Sequence, residues 1–466
     1  MVENDGTGPG ATMSSSIINT VNSVIGSGML VLPYAFRTDS ILLGTILLLF
    51  AAITNAVGLV IQGMSSKFLK QGNATFFTVC MITYPQLSVL FDIAIFLQCY
   101  GVAISYLVLT GDLMPLVYSI DGWSPEKMRV LYILGSAAIT VPLCFLHKLD
   151  SLKYASVIAL VAIAYLVLLI YFNLFYSWVN HFENVPIDKL GPVSFFQPQG
   201  IRPVFKTLGV IVLAYTCPNE YGIVSELQTP TLTRIIRIVY VSMSITVALF
   251  FTVSLFGYLN FGNAIKGNII LMYGDNFYSN LGRLLLVLMV LLSFPLMFHP
   301  ARVSCNNIYC AIKGWLLEGD SKENDEQSPL LDAAVHDQDP ITVESQEGDN
   351  IGEQDVPLPD SRFIWLTVLM LIVAYCISVS LNSFELILSL VGATGGVLIS
   401  YVLPGFYGYK LIDTDDPTLN ERLEAHGGED SSHWLFRSRG LKLFCLGLIV
   451  WGLVSMVICV YSSLFE

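Results

Sequence analysis

Apolar stretches of about 20 residues, separated by short polar segments, recur along the whole chain. A helix of roughly 20 residues spans the hydrocarbon core of a bilayer, which is about 30 Å thick. Each stretch therefore predicts a membrane-spanning helix, and the chain is expected to be an all-α integral membrane protein. Eleven spans are predicted, near residues 14–36, 41–63, 87–113, 129–147, 154–179, 202–227, 235–261, 281–303, 362–382, 384–408 and 440–463.

The polar segments between the spans predict the orientation of the chain. With the N-terminus in the cytosol, 14 Lys and Arg residues of the short loops face the cytosol and eight face the other side, as the positive-inside rule requires. Eleven spans then leave the C-terminus on the luminal side. The predicted divisions are a cytosolic tail at 1–13, five spans at 14–179, a luminal loop at 180–201, three spans at 202–317, an acidic disordered cytosolic loop at 318–361, two spans at 362–410, a cytosolic linker at 411–439 and a last span at 440–463.

Two of the spans contain residues that interrupt a helix. The first carries Gly26-Ser27-Gly28 at its centre, and the sixth carries Pro218-Asn219-Glu220. Unpaired backbone groups and buried polar side chains are tolerated at that depth only where they line an enclosed cavity. Interrupted helices five spans apart are typical of two inverted five-helix repeats, whose broken helices form a substrate site at the bilayer midplane. The pattern therefore predicts a solute transporter.

Composition narrows the class further. The chain is 54% hydrophobic and 13% charged, with a mean hydropathy of +0.66, whereas soluble domains carry about 25% charged residues. The segment from Glu318 to Asp360 holds 14 acidic residues and one basic residue, so it accounts for the whole net charge of −13. No basic stripe for nucleic acid is present, and six histidines and nine cysteines show no metal-ligand spacing. No nucleophile–base set indicates an enzyme.

Several motifs resemble one transporter family. The segment 22–35, Asn-Ser-Val-Ile-Gly-Ser-Gly-Met-Leu-Val-Leu-Pro-Tyr-Ala, resembles the first-helix motif of the amino acid/auxin permease family, within the amino acid-polyamine-organocation superfamily. Tyr84-Pro85, the segment 101–107 with Gly111-Asp112, and the segment 293–302 are similar to further motifs of that family. The resemblance covers nearly all of the chain outside its two acidic segments. It is strongest to fungal vacuolar amino-acid transporters and extends to sodium-coupled neutral amino-acid transporters.

The resemblance implies a LeuT-like fold of two inverted five-helix repeats, with helices 1 and 6 interrupted, plus one extra helix. It also implies that the carboxylate of an amino-acid substrate meets backbone amides at the first break, helped by a half-helix dipole. The glycines there can instead serve only close helix packing, and both interpretations stay open. The residues expected to bind the substrate are Val24, Ile25, Gly26, Ser27, Gly28, Thr216, Cys217 and Asn219.

The coupling ion is expected to be a proton, with Na⁺ as the alternative and no other cofactor. In sodium-coupled relatives an asparagine of helix 1 and a hydroxyl of span eight supply oxygen ligands; Asn22 and Ser293, with the Ile25 carbonyl, match them here. Ser293 can equally donate to a backbone carbonyl. Many relatives carry a histidine in the broken sixth helix that the segment 216–219 lacks, so no proton role is transferred from it. Glu220 is the candidate proton carrier, or else it hydrogen-bonds the unwound backbone.

The long acidic loop contains a candidate sorting signal. Glu326, four residues before Leu330-Leu331, resembles the dileucine signal that coat adaptors bind, although such a pattern also occurs by chance in a loop of this length. With the family resemblance, it favours a vacuolar or lysosomal membrane.

Three functions are compatible with these observations. The leading one is a proton-coupled amino-acid transporter of an acidic organelle, working by alternating access around a site between spans one and six. The second is a sodium-coupled neutral amino-acid importer of the plasma membrane, and the third is a transporter-like amino-acid sensor. The expected partners are the amino acid, the lipid bilayer and a coat adaptor, and not nucleic acid.

Overall fold

A computed structural model describes residues 11–146, 153–183, 186–318, 358–381 and 383–465. Within these ranges the chain is helical, with an isolated bridge between Ala11 and Leu227 as the strand-like pairing. The helices are α1 (Met13–Val24), α2 (Leu32–Ser65), α3 (Phe76–Thr83), α4 (Ser88–Val117), α5 (Pro125–Gly135), α6 (Ala137–Cys144), α7 (Lys153–Val179), α8 (Ile201–Tyr215), α9 (Glu220–Glu226), α10 (Leu232–Phe261), α11 (Phe277–Glu318), α12 (Asp360–Ser380), α13 (Phe384–Val391), α14 (Leu403–Leu411), α15 (Pro417–Gly427) and α16 (Arg439–Leu464).

Ten helical segments of the described ranges are long and apolar enough to span a membrane, whereas the sequence predicted eleven spans. The difference lies at the start of the chain. Helix α1 has 12 residues, and the segment 28–68 joins the second half of the first predicted span to the whole of the second. Ser40, with φ 72° and ψ 166°, marks the joint inside α2.

The two predicted interruptions are confirmed. Helix α1 ends at Val24, Gly26 is extended with φ −122° and ψ −159°, and a 3₁₀ turn over Ser27–Val31 leads into α2. In the sixth span, α8 ends at Tyr215, and α9 begins at Glu220 after four non-helical residues. Pro218 lacks an N–H group, which accounts for the second break.

The interrupted helices lie inside the bundle. Helix α8 packs against α2, α13 and α16, while α1 packs on α10 and α4 on α11. Two π-helical turns, Gly392–Gly396 and Leu398–Val402, connect α13 to α14 and lie against α8, α4 and α2. Such turns are rare and occur often at functional sites, and the sequence predicted an ordinary span at 384–408.

The two ends of the bundle are held by different segments. At the end we call inner, the Ala11 N–H donates to the Glu226 carbonyl at 2.7 Å, and the Gln228 N–H donates to the Ala11 carbonyl at 3.1 Å. The linker between α14 and α16 folds there around α15. At the opposite, outer end, the segment 186–200 accepts hydrogen bonds from the N–H groups of Ile41 and Leu42 at 3.2 and 3.0 Å.

Candidate functional site

The two glycines of the first break have different surroundings. Among the described residues, no heavy atom beyond its chain neighbours lies within 4 Å of the point where a Cβ on Gly26 would stand. A Cβ on Gly28 would lie 3.1 Å from the Cα and 3.3 Å from the Cβ of Ala214 on α8. Gly28 therefore allows α8 to pack closely, whereas the backbone at Gly26 is open to an approaching ligand. The packing interpretation therefore applies to Gly28, and binding of a substrate carboxylate at Gly26 stays a prediction.

A buried carboxyl group connects the two breaks. The Cys217 Sγ lies 3.4 Å from the Ser23 Oγ on α1 and 4.0 Å from the Glu220 Oε2. Glu220 is 1% exposed, and no Lys, Arg or His of the described chain lies within salt-bridge distance of it. Burying a carboxylate without a cation is unfavourable, and the role of Glu220 as proton carrier stays a prediction.

Three polar groups from distant parts of the chain meet beside the second break. The Thr216 Oγ1 donates to the Val212 carbonyl at 3.0 Å and lies 3.0 Å from the Ser400 Oγ of the second π-helical turn. A Cβ on Gly396 would stand 3.4 Å from the Thr216 Oγ1 and 3.5 Å from the Gln98 Oε1 of α4. The absence of that Cβ leaves space between the two polar groups.

Sequence reasoning missed Gln98, Gly396 and Ser400. Gln98 is 3% exposed, and its Oε1 has no hydrogen-bond partner among the described residues. A glutamine in the middle of an apolar span was the available signal, because polar groups at that depth face cavities or partners. The glycine and the serine carried no comparable signal, since both are common in membrane helices.

The other predicted site residues have the following places. Val24, Ile25 and Cys217 are buried, and Asn219 is exposed at the second break.

The buried Asn22 Oδ1 has no partner among the described residues, so it is free to contact a cation. Ser293 is half-buried on α11, which packs on α4 and α7, and a cation site shared by Asn22 and Ser293 stays a prediction. Glu326, Leu330 and Leu331 lie outside the described residues.

Comparison with known proteins identifies the family of this chain. The family of transmembrane amino acid transporter proteins matches residues 9–425. The chain belongs to this family. Vacuolar amino acid transporter 7 of Saccharomyces cerevisiae is 34% identical to this family member over 97% of each chain. Vacuolar amino acid transporter 6 of the same yeast is 32% identical over 97% of this chain and 99% of its own.

The fold of this transporter family member also matches a solved structure. The crystal structure of MhsT in complex with L-phenylalanine superposes with a TM-score of 0.54 at 10% sequence identity, covering 98% of this chain and 100% of MhsT. At that identity the likeness concerns the fold alone. It confirms the predicted LeuT-like, all-α architecture.

Proposed function

We propose that this protein is a secondary active amino-acid transporter of the vacuolar or lysosomal membrane, and that protons drive it. The observation that carries the proposal is the pair of facing helix breaks, with open backbone at Gly26 on one side and the buried Glu220 on the other. The names of the yeast relatives support the substrate class and the membrane. The N-terminus and the inner end face the cytosol, and the outer end faces the lumen.

In this mechanism the substrate carboxylate binds the backbone amides at residues 26–28, at the positive end of a half-helix. The ammonium group is bound by carbonyls near Val24 and by polar groups at Thr216 and Asn219. Alternating access moves the halves of the two broken helices relative to the rest of the bundle. An acidic lumen would drive protons and amino acid together towards the cytosol, with about 1.4 kcal/mol available per proton and pH unit. Coat adaptors reading Leu330-Leu331 would direct the protein to its membrane.

The test is amino-acid flux in proteoliposomes with an imposed pH gradient, in sodium buffer and in choline buffer. Flux that follows the pH gradient and ignores sodium is the expected result. The Glu220→Gln variant should lower gradient-driven flux at least tenfold, about 1.4 kcal/mol, while Glu226→Gln, an exposed position on the same helix, should leave it unchanged. Equal flux by the Glu220→Gln and wild-type proteins would remove Glu220 from the mechanism.

A sodium-coupled transporter is the second candidate, because the unpartnered Asn22 Oδ1 offers a ligand to a hard cation. Flux that requires sodium and is lost in Asn22→Ala and Ser293→Ala variants would favour it over the proton mechanism.

A further inference from the structure

A second buried carboxyl group lies at the outer end of the bundle. Asp39 lies between the first two predicted spans, where a short connection at the membrane surface was expected. The side chain is instead 0% exposed, and the neighbouring Thr38 and Ser40 are 1% and 0% exposed. An acidic residue buried to this degree requires a partner or a function.

The contacts of Asp39 are few. Its Oδ1 accepts a hydrogen bond from the Thr207 Oγ1 on α8 at 2.8 Å, and its Oδ2 has no partner among the described residues. Within those residues no Lys, Arg or His lies within salt-bridge distance of it.

The charged groups nearby in sequence are engaged elsewhere. Lys206, next to Thr207 on α8, pairs with Glu385 at 3.4 Å, and an Arg37 Nη1 donates to the Ile265 carbonyl at 2.7 Å. These contacts leave Asp39 without a counter-charge.

The contact between Asp39 and Thr207 joins two particular pieces of the fold. Asp39 ends the outer half of the first interrupted helix, and Thr207 lies on α8, the outer half of the sixth. Glu220, through Cys217 and Ser23, makes the corresponding connection at the breaks themselves. Helices 1 and 6 are therefore joined at two places, at the breaks and between their outer halves, and each place contains one buried carboxyl group without a cation among the described residues.

The backbone beside Asp39 is strained. Ser40 has φ 72° and ψ 166°, a region that glycine occupies and other residues avoid. Strain of this kind persists only where the surrounding contacts impose it, and it occurs often at switch regions. The junction between the outer half of helix 1 and helix 2 is thus a hinge held in place by its neighbours.

We propose that Asp39 is a proton-binding site of the outer gate, loaded when the outer halves of helices 1 and 6 separate. When the halves are apart, the carboxyl group is hydrated and exchanges protons with the outer compartment. When they close, it enters the dry position described above, which accepts the neutral group and disfavours the ion. Proton binding from the outer side therefore favours closure. This inference rests on the proposed function of the chain as a transporter.

A metal ion suits this position less well than a proton. Hard cations take six or more oxygen ligands, whereas the Asp39 Oδ2 is the unpartnered oxygen at the junction among the described residues. Glu385 of α13 pairs with Lys206, the residue before Thr207 on α8.

The decisive experiment measures the outer gate directly. A cysteine placed at the buried position 38 by Thr38→Cys is treated with a thiol reagent from the outer side, and its modification is quantified by mass spectrometry at that residue. Because a thiol reacts as its thiolate, every accessible cysteine is modified faster at higher pH, so each rate is divided by that of a cysteine at the exposed outer position of Ser119→Cys. With Asp39 present, this rate ratio should be several-fold higher at about pH 8 than at about pH 5.5, because the ionised carboxylate opposes closure. With Asp39→Asn the ratio should be low at both values. The matched control, Asp188→Asn at an exposed outer position, should behave like the parent.

Transport assays then separate this inference from the proposed function. Substrate counterflow needs no proton gradient, and at about pH 5.5, where the wild-type gate also favours closure, it should stay within about twofold of wild type in Asp39→Asn. Accumulation driven by a pH gradient should fall about tenfold. If the flux of the wild-type protein is driven by sodium but its outer gate still depends on pH, the proton mechanism is overturned and the assignment of Asp39 stands. Gating that keeps its pH dependence in Asp39→Asn would overturn the site itself.

A second variant covers the case in which Asp39→Asn does not fold. Thr207→Val keeps the carboxyl group and removes its one described donor, so the ionised form loses its hydrogen bond. The pH at which the rate ratio for position 38 is half-maximal should then move to a higher value. An unchanged midpoint in this variant would also contradict the assignment.

Discussion

Gln98 is the residue whose replacement best separates substrate binding from folding stability. Its buried Oε1 has no partner among the described residues, and a buried oxygen without a hydrogen bond costs about 1–3 kcal/mol. Its position beside Thr216 and Gly396 predicts that it accepts a hydrogen bond from an N–H group of the substrate. A buried oxygen that hydrogen-bonds the substrate and no protein group contributes to binding and not to folding.

Replacing Gln98 by Leu should therefore separate stability from affinity. The variant should unfold at an equal or higher temperature than wild type in detergent, since an unsatisfied buried oxygen is removed. Its KM for the transported amino acid should rise about tenfold, which corresponds to the loss of one substrate hydrogen bond of about 1.4 kcal/mol. The control is Ser105→Ala on the same helix, where the hydroxyl donates to the Val102 carbonyl within α4. An unchanged KM in Gln98→Leu would exclude this residue from the site.

At the level of single residues, the sequence predicted what local chemistry decides. The glycines, the proline and Glu220 were identified because each is unfavourable in a lipid-facing helix. Ser400 and Asp39 were not, because their contacts are with residues more than a hundred positions away. Gln98 carried a signal, as a polar residue inside an apolar span, that was missed. Asp39 in particular followed a predicted span and was indistinguishable from an ordinary polar connection.

The first interrupted helix shows how two glycines in one element serve two purposes. Gly28 lets the 3₁₀ turn approach Ala214 on α8, so the packing of two broken helices depends on it. Gly26 has open space where a side chain would be. A substitution at Gly28 should therefore lower stability, whereas a substitution at Gly26 should lower transport.

Gly28→Val should lower stability by about 1–3 kcal/mol, because an overpacked side chain would have to displace the α8 backbone. Gly26→Ala should change stability by less than about 0.5 kcal/mol, because a methyl group there meets no described atom. It should nevertheless reduce counterflow, because the methyl group would occupy the space proposed for the ligand. Thermal unfolding and counterflow, measured on the same preparations, test both. A stable, fully active Gly28→Val protein would mean that the close approach to Ala214 is not required.

The elements themselves were largely predictable, and their joints were not. Span lengths follow from bilayer thickness, so the spans near 154–179 and 440–463 correspond to α7 and α16 almost residue for residue. The joint between the first two spans was placed in a loop, whereas the structure continues helically through it apart from Ser40. Hydropathy measures transfer to lipid and contains no information on how one helix passes into the next. The same limit applies to the π-helical turns at 392–402, whose composition is that of any buried span.

Across the whole molecule, the inner end is held by a polar assembly that joins distant parts of the chain. The Lys67 Nζ lies 2.8 Å from the Asp430 Oδ2, with side chains 10% and 14% exposed, and it also donates to the Pro230 carbonyl. The same carboxylate accepts the Leu232 N–H at 2.8 Å at the start of α10. The Phe436 ring packs edge-on against Phe68 with centroids 5.8 Å apart. The linker thus fastens the end of α2 to the start of α10.

Breaking this assembly should destabilise the protein as a whole. Lys67→Met should cost about 1–3 kcal/mol, because it leaves Asp430 mostly buried without its cation. The double variant Lys67→Met/Asp430→Asn should lose less than the sum of the single variants, since the two residues share one interaction. Arg439→Met removes a cation from the exposed pair with Asp413 and should change stability by less than about 0.5 kcal/mol. Strict additivity in the double variant would mean that the pair is not coupled.

The sequence described this linker only as an acidic cytosolic segment. Its fold depends on Leu419, Leu423 and Phe436, which are buried against the inner end. It also depends on the ion pair of Asp430 with Lys67, which lies more than 360 positions earlier in the chain. Composition indicates whether a segment crosses a membrane. It does not indicate whether a charged segment packs against the surface from which it emerges.

The pairing of Ala11 with the residues that follow α9 provides a spectroscopic reporter within the native chain. Two amide hydrogens, those of Ala11 and Gln228, are held in hydrogen bonds between the N-terminal segment and the end of the inner half of helix 6. Any movement that separates these segments releases both hydrogens to water at the same time. Deuterium uptake at these two amides would therefore record opening of the inner end without a label, a mutation or a bound substrate.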